Sequence, residues 1–300
     1  MIKPHRMVAS ARQALVVAQV RKALACRGQF PPIELENDAS GAAEALIQLL
    51  QPMPANSPLL PDFRYRLTAK GTIRQMLDGL SSSVDATRVR CARLSGALRI
   101  EEAVPWLGSL LGHSNDEVQS AAARALGRLG GARSADALVR ALYWRRGVKM
   151  RVVLELARSA PDHYLEVALF NPDLVDVRQH IAIAIGLRRL TSSIPALLRL
   201  QANGVRNEAA VACRALGSIG DPRAMPALIA ALADPWCQVR VAAVKALGRI
   251  DDPALLKVLE PLLADRNSDV RTATEFALRH LTRADGQARA AAASGQMEVA

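Results

Sequence analysis

The side chains with the plainest capacity for chemistry are five histidines, His5, His113, His163, His180 and His280, and four cysteines, Cys26, Cys91, Cys213 and Cys237. A zinc centre or a thiol nucleophile needs such residues at ligand spacing or beside a base, as in HExxH or a CxxC pair. The sequence holds neither. It also lacks a GxxxxGK[ST] phosphate loop and a Ser or Cys set in a nucleophile elbow. These absences predict a chain that is not an enzyme and carries no metal and no cofactor. With no secretory signal in view, the four dispersed cysteines read as small apolar helix residues in a reducing cytoplasm.

Charge is the remaining resource. Lys and Arg number 39 against 28 Asp and Glu, a net +11, which favours an acidic partner: protein, nucleic acid or an anionic membrane surface. Choosing among them requires the elements that place the cations. Apolar residues make up 50% of the chain and aromatics 3%, so close packing of Ala and Leu, rather than aromatic filling, must hold it together.

The clearest element is the stretch Asn207 to Asp252. Within Val239 to Gly248 the apolar positions Val239, Ala242, Ala243, Ala246 and Leu247 recur at three- and four-residue steps, the signature of one helical face. Gly248, as a left-handed cap, and Asp251-Asp252-Pro253 are expected to end that helix. The same punctuation at Gly217 and Asp221-Pro222 precedes a second apolar helix, Ala224 to Leu232, with Pro226 in its first turn. Equivalent starts at Val89, Val118, Val148, Val177, Glu208, Val239 and Val270 give steps of roughly 29 to 31 residues, the mark of a repeat array.

VRVAAVKALGRIDDP, EVQSAAARALGRLGG and ALGSIGDPRAMPALIAAL resemble short HEAT repeats of the type also called PBS-lyase HEAT-like repeats. The resemblance covers about two thirds of the chain. It implies an all-α fold, a right-handed α-solenoid of about seven helix pairs with an irregular helical N-terminal cap. Repeats of this type serve in scaffolds, adaptors, chromophore-lyase subunits and some nucleic-acid enzymes. They place the helix beginning at each Val start on the concave side.

Three regions are expected: a cap over residues 1–86, the repeats over 87–281 and a disordered tail over 282–300. The cap opens with a basic helix, Met7 to Ala25, whose longest charge-free run, Gln13 to Val20, is too short to cross a bilayer. Basic flanks around Leu15, Val16, Val17 and Val20 suit peripheral contact with a membrane surface or docking on a protein. Connectors at Gly28 to Asp38 and Pro52 to Pro61 flank a helix over Ala42 to Leu50, and a further helix is expected over Ile73 to Leu80. The pattern is most disturbed between Tyr143 and Asp176, where Trp144 stands in a broken turn.

Offsets of two, six and ten residues from each start share one helical face turned away from the buried stripe. Offset six gives Ser95, Arg124, Leu154, Ile183, Arg214, Lys245 and Phe276, and offset ten gives Arg99, Arg128, Arg158, Leu187, Ser218, Arg249 and His280. Met150, Leu154, Ile183 and Leu187 thus form an apolar centre, ringed by Arg124, Arg128, Arg158, Arg214, Lys245 and Arg249, with Trp144 beside it. Such a patch suits a protein partner. The residues after the starts, Arg90, Lys149, Arg178, Arg240 and Arg271, are expected to pair with turn acids such as Asp176, Asp234 and Asp265.

The expected function is a non-catalytic scaffold or adaptor that binds an acidic or amphipathic protein segment. One alternative is a nucleic-acid-binding protein whose arginine ladder contacts phosphates; the face has no Asp or Glu to process a flipped base. The other is an accessory subunit of a lyase-type complex, which the resemblance alone implies.

Overall fold

The computed structural model of the protein describes residues 15–22, 33, 35–36, 41–54, 56–143, 149–250 and 252–297, with the side chains of 206 and 284–297 left aside. Trp144 and the termini of the basic N-terminal helix lie outside these residues. The chain forms two compact units, Met1–Pro161 and Asp162–Ala300, and the boundary falls in the stretch where the repeat pattern breaks. Among the described residues all regular structure is helical.

In the first unit residues 15–22 are helical, with Val20 buried and Leu15 exposed, so that helix docks at least by Val20. Then follow α1 (Ala42–Leu50), α2 (Leu59–Ala69) and α3 (Thr72–Gly79). Helix α2 begins inside the expected connector. Its Leu60, Phe63 and Leu67 recur at helical spacing and are buried, and Pro61 sits in the first turn, where a proline is tolerated. The repeats proper alternate α4 (Asp85–Leu98), α6 (Asp116–Leu129) and α8 (Lys149–Ser159), which pack in series, with α5 (Val104–Leu110) and α7 (Gly131–Ala141) on their other side. Helix α1 packs on α4.

The second unit repeats the scheme. Helices α10 (Arg178–Arg188), α12 (Arg206–Ile219), α14 (Cys237–Leu247) and α16 (Ser268–Met297) pack in series, each backed by one of α9 (Asp162–Phe170), α11 (Ile194–Asn203), α13 (Met225–Ala230) and α15 (Leu255–Leu259). Helix α16 is continuous past Thr282, where the tail was expected to begin.

Small residues explain the stacking. A Cβ placed on Gly186 would lie 2.8 Å from the Cα of Ala215, and one on Gly217 would lie 2.5 Å from the Cα of Ala246. Backbone thus meets backbone at Gly96–Ala125, Gly186–Ala215 and Gly217–Ala246, and dispersion over the flanking Leu and Val side chains follows. This corrects the reading of Gly217 and Gly248 as left-handed caps. Gly248 has φ −64°, and the left-handed cap after α12 is Gly220 at φ 73°.

The same contact fixes the register of the first repeat. Gly96 abuts Ala125, so Gly96 stands where Gly217 stands, and the start equivalent to Val118 is Thr87 rather than Val89. Thr87 is buried and Val89 only half-buried. Ser95 consequently points into the core, and Arg93 takes the outward place assigned to it. Turn chemistry follows the sequence: Asp221, Asp234 and Asp252 accept hydrogen bonds from the amides of Arg223, Trp236 and Ala254 at 2.8–2.9 Å.

Candidate functional site

Ile183 and Leu187 on α10, Arg214 and Ser218 on α12, Lys245 on α14 and Arg249 just past its end line one groove of about 270 Å³ in the second unit. Its floor is the small-residue seam, Gly186, Ala215, Ala242 and Ala246, with Val211. The seam sets the geometry: helices this close leave a shallow trough, and the next residues outward on each helix become its walls. Leu187 is 48% exposed and Ile183 half-buried, so the apolar wall stays open to solvent. Across it stand three exposed cations. The Ser218 hydroxyl donates to the Arg214 carbonyl at 2.9 Å and accepts from Arg249 Nη1 at 3.2 Å. Arg214 and Lys245 form no ion pair among the described residues, and no carboxylate lines the groove. Beyond it on α16, Phe276 is 72% exposed on the same offset.

The first unit carries the other half of the predicted residues. Met150 and Leu154 are exposed on α8, as is Arg158, while Arg124 is exposed and Arg128 half-buried on α6. Arg124 and Arg128 share a second groove, of about 220 Å³, with Arg93, Gln51, Ile47 and Glu117. Of the four apolar residues expected to form one patch, Met150 and Leu154 belong to the first unit and Ile183 and Leu187 to the second.

Glu155 escaped the sequence reading. It is 3% exposed, sits against Gly127, and occupies the place that Ala125, Ala215 and Ala246 take in other repeats. That exchange of Ala for Glu was the available signal. Burial pushes its carboxyl pKa up, against the opposing pull of Arg158, Arg151, Arg124 and Arg128. Arg158 Nη1 is 3.4 Å from its Oε2. Arg128 is held below the usual guanidinium pKa by desolvation and then by Arg99 and Arg158, so the cluster remains electropositive around its one buried carboxylate.

The arginines after the starts have structural partners, though not always those expected. Arg240 binds Asp265 through two hydrogen bonds and also the Asp234 carbonyl. Arg178 pairs with Glu208 at 3.2 Å instead of Asp176, which accounts for the lone acidic start in the series. With the first start at Thr87 the residue after it is Arg88, which pairs with Asp85, while Arg90 donates to the carbonyls of Leu35 and Glu36 and Arg271 to that of Asp265.

Repeated helix pairs with a Gly–Ala seam are matched by the profile of the HEAT repeats at residues 73–157 and 206–279, together more than half of the chain. The chain belongs to the HEAT-repeat family. Among solved structures this HEAT-repeat chain is similar to human deoxyhypusine hydroxylase in complex with glycerol, at 18% identity over 93% of this chain and 99% of that one, TM-score 0.37. It is also similar to a mutant of Kap121p, at 14% identity over 88% and 33%, TM-score 0.39. The complex of CpcE and CpcF of phycocyanin lyase from Nostoc sp. PCC7120 matches at 21% identity over 85% and 99%, TM-score 0.28. At these values the likenesses carry no argument about activity. No curated protein matches the HEAT-repeat chain. Among its described residues no helix is long and apolar enough to cross a membrane.

Proposed function

We propose that the protein is a non-catalytic scaffold that holds an acidic, amphipathic segment of a partner protein in the groove of its second unit. One observation carries this reading: the open apolar wall of Ile183 and Leu187 faces Arg214, Lys245 and Arg249 with no carboxylate between them. An amphipathic helix laid there would bury its apolar stripe on the first wall and set its acids against the second. The groove offers no His, Cys, Asp or Glu to act as base or nucleophile, and the Ser218 hydroxyl is engaged by its own helix and by Arg249. Met150, Leu154 and Arg158 on α8 would supply a second contact on the first unit.

The test is capture of a partner from the source cell, identified by mass spectrometry and then reconstituted with the purified protein. Ile183→Asp with Leu187→Asp should reduce binding by at least about tenfold, the loss of two buried aliphatic contacts. Helical content should be unchanged. Undiminished binding by that variant removes the groove from the proposal.

A nucleic-acid reading rests on the same three cations. It requires binding to a single or double strand at low salt that weakens steeply as salt rises.

A further inference from the structure

The first unit contains a second positive site, of different character from the groove just proposed. Arg64 Nη1 donates to the carbonyl of Arg99 at 3.1 Å, Arg99 Nη1 donates to the carbonyl of Arg128, and Arg128 Nη2 donates to the carbonyl of Gln51 at 2.8 Å. Each guanidinium is thus anchored on a helix-end carbonyl. Desolvation lowers the basicity of Arg99 and Arg128, and a neighbouring cation lowers it further in each case, Arg64 beside Arg99 and Arg99 beside Arg128. Carbonyl anchors hold guanidinium groups in place without neutralising them. Arg99 does so from a left-handed backbone position, φ 54°, which residues bearing a β-carbon seldom occupy.

Arg93, Arg124 and Arg128 face one another across the 220 Å³ groove between α1, α4 and α6. Arg93 is paired with Glu44 at 2.9 Å, and Glu117 closes the other side. Arg124 is the free arm of the set, since its hydrogen bond is to Ser120 on its own helix. The pattern is a small cationic cup with carboxylates at its edge. A continuous polyanion would bring its neighbouring phosphates against Glu44 and Glu117. A single compact dianion can sit on the arginines, whose planar forks match the oxygens of a phosphoryl group, with Glu117 at one side and Glu155 buried behind them.

We propose that this cup receives the phosphoryl group of a phosphorylated serine or threonine on a partner protein. Arg124 and Arg128 contact the phosphoryl oxygens, and the Gln51 carbonyl, accepting from Arg128 Nη2, holds that guanidinium in position. Unphosphorylated segments lack the dianion and do not engage it. Nothing in this site depends on Ile183, Leu187 or the groove of the second unit.

The experiment uses the full chain and a short acetylated Gly-Ala-phosphoserine-Ala-Gly amide, with the serine peptide, inorganic phosphate and an oligodeoxythymidine strand as comparisons. Binding is read from broadening of the phosphorus-31 resonance and from calorimetric titration. The phosphopeptide should bind and the serine peptide should not. Arg124→Ala should weaken binding about tenfold or more, the worth of one charge-assisted hydrogen bond, and Arg128→Ala should do the same. Because Arg128 also holds Gln51, helical content and melting are measured for both variants, and Arg124→Ala alone decides if Arg128→Ala unfolds. Absence of phosphopeptide binding, equal binding by Arg124→Ala, binding of inorganic phosphate as tight as the peptide, or tighter binding of the oligonucleotide each overturns the proposal. The Ile183→Asp, Leu187→Asp variant should bind the phosphopeptide normally, so failure of the groove reading and failure of this one are separate results.

Discussion

Arg240 clasps Asp265 with two parallel hydrogen bonds, Nε to Oδ2 at 2.9 Å and Nη2 to Oδ1 at 2.8 Å, tying α14 to the turn before α16. Both side chains are nearly withdrawn from water, at 6% and 8% exposure. Removing one partner would strand the other charge in the interior, so Arg240→Ala should destabilise by about 3–5 kcal/mol. The hydrogen bond from Arg240 holds the Asp265 carboxyl below its ordinary pKa. A depressed carboxylate contributes stability above its unfolded pKa of about 3.9 and loses it as pH falls through the lower folded value. Thermal melts of the wild type should therefore weaken below about pH 4, and Asp265→Asn should lack that part of the slope. Identical acid profiles for the two would refute the assignment.

Gly217 lies within α12, where replacing Gly by Ala ordinarily gains roughly 0.5–1 kcal/mol of helix stability. The structure reverses that sign, because the new Cβ would press on the Cα and Cβ of Ala246, each at 2.5 Å. Overpacking against backbone should cost about 1–3 kcal/mol. Chemical denaturation of Gly217→Ala settles it, and a raised midpoint would contradict the seam.

Burial pushes the Cys91 thiol up to about 11 and the Cys213 thiol up to about 12. Neither forms appreciable thiolate near neutral pH in the folded state. Iodoacetamide at pH 8 should leave both unmodified while labelling Cys237, which is partly accessible. Peptide mapping after labelling, with and without denaturant, reads this directly; rapid native labelling of Cys213 would mean that α12 opens locally.

Reversing Lys245 to Glu in the groove of the second unit should slow partner association and flatten its salt dependence, because the positive wall steers an acidic segment. Its high exposure predicts a change in stability within about 0.5 kcal/mol. Association rates across a salt series test the point. A uniform loss at all salt concentrations would indicate a contact rather than a field.

Residue spacing suffices for the helical repeats and for the helix ends at Asp221-Pro222 and Asp252-Pro253. Those features arise from contacts a few residues apart, where helical periodicity and turn chemistry fix which side chain points where. The first repeat was misplaced by two residues because Thr87 and Ser95 stand where other repeats carry apolar residues, and only the contact of Gly96 with Ala125 fixes the phase. The start of helix α2 is hidden because the four prolines between Pro52 and Pro61 read as a connector.

Sequence alone determined that this is an all-α HEAT-repeat chain with a basic outward face, since both follow from local period and residue type. Tertiary structure decided which residues meet one repeat away: Arg178 with Glu208, Glu155 with Gly127, and the arginine relay from Arg64 through Arg99 to Arg128. Such pairings depend on the distance and rotation between neighbouring helices. Those are set by whether a glycine, an alanine or a glutamate occupies the seam; the residue types recur along the chain, but which group each meets one repeat away is a packing outcome.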